Sequence, residues 1–428
     1  MNTNLERAIA ESGVAADGFS IGAAVRLLRR PLALRAMRAL VPHAPSVPVP
    51  ERPAAAFAFD LVRRVYAEHP ERVVWTSICL PSELIWGLGL TPFLPEVAAV
   101  VAAGLGLGAR SLAEAAAGGC PPDLCTVHRG AFGLEREGLM PPAAAYVATS
   151  HLCSVAGMML AAEAWRQHKP FVLIDVPGSA DADAVDYVER QLEALIPRLE
   201  EATGARFDPD RLRVAIRRSN EARALAVEFH ALRAARPAPI RGGQALGTVG
   251  LMAWLLGHPD GAAHFRAWRD YAAGRIARHD PEQPAQKVRL LWLHVGPHSG
   301  NTIVPHLEDH LGAVIAFEEH SHIWWEPLDE AHPLRALAAR LVTQPQEGPI
   351  GRRLELVLDL VARYGCDGVV HFSHWGCRQT SGALSVLRDG LRREGIPLLD
   401  LDGDCLDPTN TPAGPLRTRI DAFVETLT

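Results

Sequence analysis

Two doubly wound α/β lobes, each built on a parallel sheet and joined by helical additions, are the fold this chain of 428 residues predicts. Three observations carry the prediction. Short runs rich in Val, Ile, Leu and Phe recur between longer segments whose apolar residues follow a helical period. The runs are continuously apolar rather than alternating, as strands are when both faces of a sheet are covered. One stretch, residues 145–176, reads strand, helix, strand in immediate succession and forms a βαβ unit, the building block of Rossmann-like and flavodoxin-like sheets.

In chain order, residues 1–43 are Arg-rich with a helical pattern, and 42–53 hold several prolines and read as a linker. Together 1–70 form an N-terminal extension. The first lobe spans 71–205, with strands expected at 72–78, 145–149 and 171–176. A helix over 154–168 joins the last two, and a long amphipathic helix follows over 181–203. Residues 206–286 form a helical connecting region, with helices over 208–235 and most of 243–278, closed by a polar, proline-containing stretch at 279–286. The second lobe, 287–428, has strands at 287–295, 313–317, 368–372 and 396–401, each separated by a helix-like segment.

Composition narrows the function. A formal net charge of −6 leaves no broad basic surface for nucleic acid. The only lysines, Lys169 and Lys287, stand outside any GxxxxGK[ST] loop, so the chain has no P-loop with which to hydrolyse ATP itself. The most apolar stretch, 97–107, is shorter than the about 20 residues a bilayer span requires. The start has no sustained apolar core, so no signal peptide is expected. A cytoplasmic protein with reduced thiols is the expectation, and there cysteine clusters point to metal or catalysis rather than disulfides.

Among the seven cysteines, three stand out. Cys125 closes the loop 118–125. Cys153 and Cys377 follow the apolar runs 145–149 and 368–373, so in a parallel sheet both lie beyond the carboxyl ends of strands, where α/β folds build their sites. A helix is expected to start directly after Cys153, and its free N–H groups would stabilise a thiolate. Gly376, and the pair Gly118-Gly119, allow backbone to approach a bulky inorganic core. Three thiolates from distant parts of the chain can hold an iron–sulfur cluster with one iron left open. The spacings of 28 and 224 residues match neither zinc ribbons nor bacterial ferredoxins, and each cysteine taken alone fits burial in a core better than a ligand role. Cys366 fits the core, Cys405 follows a strand, and Cys79 and Cys120 lie in loops beside prolines near the same region.

Other residues read two ways. Glu83, preceded by Ser82, follows the first strand and sits in the first turn of a helix; it is either a site carboxylate or a complement to the helix dipole. Histidines gather at His294, His298, His306, His310, His320 and His322 and again at His371 and His374, without an HExxH pattern. His371 and His374 are candidates for donors beside Cys377. Residues 104–109 match GxGxx(G/A), but a Gly/Pro/Cys loop follows where a dinucleotide site needs a strand ending in an acid.

These stretches resemble the 2-hydroxyacyl-CoA dehydratase family, which also contains the benzoyl-CoA reductase subunits. Leu80-Pro81-Ser82-Glu83-Leu84-Ile85, running on to Gly89-Leu90-Thr91-Pro92, is similar to the family's P-x-E-L element. Asp123-Leu124-Cys125, Ser150-His151-Leu152-Cys153 and His374-Trp375-Gly376-Cys377-Arg378 resemble its cluster-ligand contexts, and residues 395–404 with 418–425 its C-terminal signature. The resemblance covers roughly residues 70–428. Two departures stand in it: Ser154 follows Cys153 where many members have Asp, and Thr126-Val127-His128-Arg129 follows Cys125 in place of an aromatic and a lysine.

The resemblance implies a [4Fe-4S] cluster held by Cys125, Cys153 and Cys377, with the fourth iron open to water, hydroxide or a substrate oxygen. It implies a proton-transfer role for Glu83, with Ser82 beside it. The implied reaction is removal of water from a 2-hydroxyacyl-CoA, with one electron from the cluster turning the thioester carbonyl into a ketyl radical anion so that the α-hydroxyl leaves. It further implies a dimer with a homologous subunit or with itself, and a separate ATP-dependent iron–sulfur activator. Two alternatives stay open: an acyl-CoA or double-cubane-cluster reductase, for which Cys79 and Cys120 are additional ligand candidates, and a non-catalytic cluster-bearing partner subunit.

Overall fold

The computed structural model describes residues 30–428 apart from Ser46, Pro281, Pro284, Ser299 and Asn301. The helical expectation for residues 1–29 lies outside the described residues. Pro31–Leu40 (α1) is helical, and α2 (Arg52–Arg63) begins inside the expected linker, with a proline in its first turn where the missing N–H costs nothing.

Two four-stranded parallel sheets organise the chain. The first holds β1 (Val73–Thr76), β2 (Thr91–Phe93), β3 (Ala145–Thr149) and β4 (Phe171–Ile174) in the order β2-β1-β3-β4. The second holds β5 (Val288–Leu293), β6 (Ala313–Glu318), β7 (Gly368–His374) and β8 (Leu398–Gly403) in the order β6-β5-β7-β8. All pairings are parallel. The two orders are the same when each sheet is counted from its own first strand. In both, the chain first winds to one side and then to the other, which makes the β1/β3 and β5/β7 junctions topological switch points. β2 falls outside the expected strands. It has three residues with Pro92 in the middle, which a ladder tolerates only at an edge, and β2 is an edge strand.

Between β1 and β3 come α3 (Ser82–Gly87), α4 (Pro95–Gly104), α5 (Gly108–Ala117) and α6 (Thr126–Arg136). The crossover from β3 to β4 is α7 (Ser154–Arg166). A longer helix, α8 (Ala182–Thr203), starts where the Asp181 carboxylate accepts the Ala184 amide at 2.9 Å and stops at Gly204, whose left-handed φ of 68° suits glycine. The connecting region is built on α9 (Pro209–Leu232) and α10 (Asp260–Arg278). Then follow α11 (Pro333–Val342), α12 (Ile350–Tyr364), α13 (Arg378–Gly382), α14 (Leu384–Arg393) and α15 (Ala413–Leu427). No described helix is long and apolar enough to cross a membrane.

One apolar cluster runs from Val73, Trp75 and Tyr146 of the first sheet through Leu94 and Val97 to Leu290, Trp292 and Phe372 of the second. The sheets therefore share a core. Buried ion pairs fasten the helices around it. Arg340 of α11 donates to both oxygens of Glu83 on α3, at 2.6 and 2.8 Å, and the Ser219 hydroxyl of α9 donates to the same carboxylate at 2.6 Å. Arg353 of α12 pairs with Glu319 at 2.6 and 2.8 Å, and Arg233 with Glu318 at 2.7 and 2.5 Å.

Removing one member of a buried pair strands the other charge, at about 3–5 kcal/mol. Arg340→Met should lose stability on that scale in urea unfolding of the metal-free chain. The double variant Glu83→Gln, Arg340→Met should recover most of the loss, because no charge is left stranded. Equal losses in the single and double variants would show that the pair's packing, not its charge, is what matters.

Candidate functional site

The carboxyl ends of the strands carry the candidate residues. Cys79 lies just after β1, Cys153 after β3, His294 after β5, Cys377 after β7 and Cys405 after β8. Cys125, Cys153 and Cys377 share a further property: each is the N-cap residue of a helix, of α6, α7 and α13 respectively. None makes a formal capping hydrogen bond. Even so, the amides of Val127 and His128 favour an ionised sulfur at Cys125, and those of Ala156 and Val155 favour one at Cys153.

Backbone contact brings Cys377 to Cys125, and the Cys153 sulfur is close enough for its charge to act on Cys125. Gly376 has a left-handed φ of 76°, and a Cβ there would stand 2.4 Å from the Cys125 nitrogen and 2.7 Å from the Leu124 carbonyl carbon. Only glycine lets the Cys377 turn lie on the Cys125 loop. From the other side, the Thr126 hydroxyl donates to the Asp404 carboxylate, which also accepts the amides of Leu406 and Asp407 at 2.9 and 3.0 Å. Burial pushes the Cys125 thiol up, and the Cys377 and Cys153 sulfurs, as neighbouring negative charges, push it further. Cys153 is pushed up to about 11, first by burial and then by Cys377 and Glu96, against the Val155 and Ala156 amides.

Cys79 is raised by burial and then by Glu96, Cys153 and Glu347, which puts it on the flank of this group. Cys405 is fully enclosed and feels Cys125 and Cys377. Cys120 stands apart: after burial, the charge that acts on it is Arg129.

Each of the three sulfurs has a side-chain neighbour. His374 Nε2 lies 3.1 Å from Cys125 Sγ, His128 Nε2 3.3 Å from Cys153 Sγ, and Thr380 Oγ1 3.0 Å from Cys377 Sγ. Burial depresses the imidazoles, His374 to about 3 and His128 to about 4, so both are neutral near pH 7. Two non-glycine residues with left-handed backbone, Leu152 (φ 62°) and His294 (φ 70°), sit at strand ends in the same region, where stored strain is commonly found. The Leu152 amide is held by Glu347 at 3.1 Å.

Ser82 and Glu83 are engaged elsewhere. The Ser82 hydroxyl donates to the Ala253 carbonyl at 2.6 Å. Burial would raise the Glu83 carboxyl, but the Arg340 charge, its hydrogen bonds and Ser219 outweigh that and hold it below the usual range. A surface cleft of about 320 Å³ lined by Trp86, Asp208, Arg211, Arg218 and Gly257 lies nearby, and Gly257 packs directly on Glu83. Sequence reasoning passed over Glu96. Its carboxyl is buried, one oxygen has no hydrogen-bond partner, and burial raises it to about 7 against its backbone hydrogen bonds. The Ile78 amide approaches its other oxygen at 3.4 Å. In the sequence, a Glu after Pro95 looks like ordinary first-turn helix chemistry. His128 offered a usable signal, three residues beyond Cys125 and so on the same helix end.

Among the described residues no group of three His, Cys, Asp or Glu side chains converges on a single metal ion. A cubane cluster asks for something different, one thiolate to each of several irons. Three mutually influencing thiols on helix N-termini, with a glycine turn that keeps side chains out, fit that demand. A bound cluster would also reverse the thiol pKa values, since a ligating thiol is deprotonated outright.

The family described as 2-hydroxyglutaryl-CoA dehydratase, D-component, matches residues 77–427. The (R)-phenyllactyl-CoA dehydratase alpha subunit of Clostridium sporogenes is 23% identical over 377 residues, 84% of this chain and 90% of that one. The (R)-2-hydroxyisocaproyl-CoA dehydratase alpha subunit of Clostridioides difficile is 23% identical over 394 residues, covering 86% and 94%. The (R)-2-hydroxyglutaryl-CoA dehydratase subunit alpha of Acidaminococcus fermentans is 21% identical over 315 residues, covering 71% and 64%.

Two outcomes are expected in the metal-free protein. Gly376→Ala should cost clearly more than Gly395→Ala. Gly395 has a similar left-handed φ, 69°, but nothing within 4 Å of an added Cβ, so it isolates the backbone penalty of about 1–2 kcal/mol. Equal unfolding midpoints would mean that the Cys125 loop moves aside freely. Glu96 gives a pH signature. Its folded pKa is raised from 4.5 to about 7, so stability is intact below pH 4.5 and declines as pH rises towards 7, by about 3 kcal/mol in all. Glu96→Gln should gain on the wild type across that window and then hold a constant lead; a lead that does not change with pH would refute the assignment.

Proposed function

This chain belongs to the 2-hydroxyglutaryl-CoA dehydratase D-component family, and from that premise we propose that it is the cluster-bearing subunit of a hydro-lyase that removes water from a 2-hydroxyacyl-CoA. The observation that carries the reading is that Cys125, Cys153 and Cys377 each stand at a helix N-terminus, with the Gly376 turn seating Cys377 on the Cys125 loop and the charges of Cys153 and Cys377 both acting on Cys125. In this reading these three cysteines hold a [4Fe-4S] cluster with one iron open. A cluster held there would supply low-potential one-electron chemistry at the thioester, the kind of chemistry that lets the α-hydroxyl and a β-proton leave as water with no net change of redox state.

The chain's own residues supply the rest. The helix-end amides at Cys125 and Cys153 stabilise thiolate charge. Glu83, held ionised by Arg340, is the proton acceptor the family resemblance implies, and Ser82 lies beside it. Glu96 is the complementary acid: buried, with one free oxygen, and on the Cys153 side of the site. Cys79 stands as the additional ligand candidate on that flank, and Cys120 is distant from it in its interactions. Because the chain has no P-loop, ATP-driven electron delivery falls to a separate activator. The three relatives are named as alpha subunits, and a homologous second subunit is proposed here as well.

The test is anaerobic reconstitution followed by iron and acid-labile sulfide analysis. The wild type should hold about four irons per chain. Cys125→Ala, Cys153→Ala and Cys377→Ala should each lose most of that iron, while Cys366→Ala, whose residue packs against the core at the opposite end of β7 from Cys377, should keep it. Full iron in any of the first three would remove that cysteine from the ligand set. About eight irons would favour the double-cubane alternative.

A further inference from the structure

The hydrogen bonds around Cys125 fix a proton as well as a position. His374 ends β7, and its side chain is buried. Its Nδ1 accepts the backbone N–H of Cys405 at 3.1 Å. An amide can only donate, so Nδ1 is bare and the neutral ring carries its proton on Nε2. That Nε2 lies 3.1 Å from the Cys125 sulfur. The sulfur thus receives an N–H whose direction is imposed from behind by Cys405. Cys405 is in turn anchored, its carbonyl accepting the His298 amide at 2.8 Å.

Thr380, beside Cys377, makes an instructive contrast. His294 Nδ1 faces the Phe372 carbonyl at 2.9 Å and must donate to it, which leaves His294 Nε2 as an acceptor. The Thr380 hydroxyl, 2.8 Å from that Nε2, spends its one proton there and turns a lone pair to the Cys377 sulfur. At Cys153, no second bond among the described residues fixes the tautomer of His128. Of the three sulfurs, only that of Cys125 faces a side-chain donor whose proton cannot turn away.

We infer that His374 is a positioning residue that donates a hydrogen bond to the Cys125 sulfur and so raises the reduction potential of the iron–sulfur cluster this cysteine helps to hold. The inference rests on the cluster reading above and names the residue that tunes it. A hydrogen bond to a ligand sulfur stabilises the more negative, reduced state, and such bonds are among the factors that set cluster potentials.

The experiment compares anaerobically reconstituted wild type, His374→Phe and His374→Gln by iron content and by midpoint potential in an EPR-monitored redox titration. His374→Phe should keep the wild-type iron content and make reduction at least tenfold less favourable, a shift of about 59 mV to more negative potential for one electron. His374→Gln, whose amide can replace the donor, should return part of that shift. An unchanged potential in iron-replete His374→Phe overturns the inference. Loss of iron from both variants overturns it too, because the imidazole would then be holding the Cys125 loop rather than tuning the cluster. A wild-type chain that takes up no iron fails earlier, at the cluster reading itself, so the two failures are told apart.

Discussion

The approach of Cys377 to Cys125 depends on one steric fact: the turn at Gly376 lies against the backbone of Leu124 and Cys125 with no room for a Cβ. Cys377 comes from the second sheet, while Cys125 and Cys153 come from the first half of the chain. Side-chain contacts alone would leave the junction adjustable, since side chains can rotate away. A backbone-on-backbone contact cannot be adjusted without moving β7 or α6 as a whole, and both are built into the shared core.

The elements behind that turn are held mostly by charge. Arg353 reaches from α12 to Glu319 at the end of β6 and donates to the Thr380 carbonyl at 3.2 Å, tying the short helix after Cys377 to the second sheet. Asp404 gathers Thr126 and two amides beyond β8, tying the start of the Cys125 helix to the same sheet. Buried pairs of this kind return little net stability for their desolvation. What they supply is definition, because each guanidinium has one arrangement that satisfies it. The interior next to the sulfurs is the opposite, made of neutral imidazoles and thiols. Charge therefore frames the site and is kept out of its centre.

The parallel sheets were legible in the sequence because buried parallel strands leave continuous apolar runs, as at 145–149, 313–317 and 368–372. The same rule hid β2, whose two ladder-forming neighbours flank a proline. Cys153 and Cys377 could be placed because position relative to a strand end is local information. Cys125 has no strand directly before it, so only its Gly/Pro loop and the family resemblance, not a strand end, joined it to the others. Glu83 shows where local reading stops. Its place on the first turn of α3 was legible, but its partner Arg340 is 257 residues away, and nothing in either neighbourhood announces the pair. Glu96 and Thr380 were invisible for the same reason: their importance lies in what faces them across the fold.

The separation of the cysteines along the chain also sets the order in which such a protein is made. A zinc finger closes a short loop, so metal capture and folding are one event. Here the loop between Cys153 and Cys377 contains one strand of the first sheet and three of the second, and the apolar core that closes it does not involve the sulfurs of Cys153 or Cys377. On the cluster reading proposed above, the chain would fold first and be loaded with its cofactor afterwards. Damage to an oxygen-sensitive cofactor would then leave a folded protein ready to be charged again, and maintaining the activity becomes a matter of repair rather than replacement.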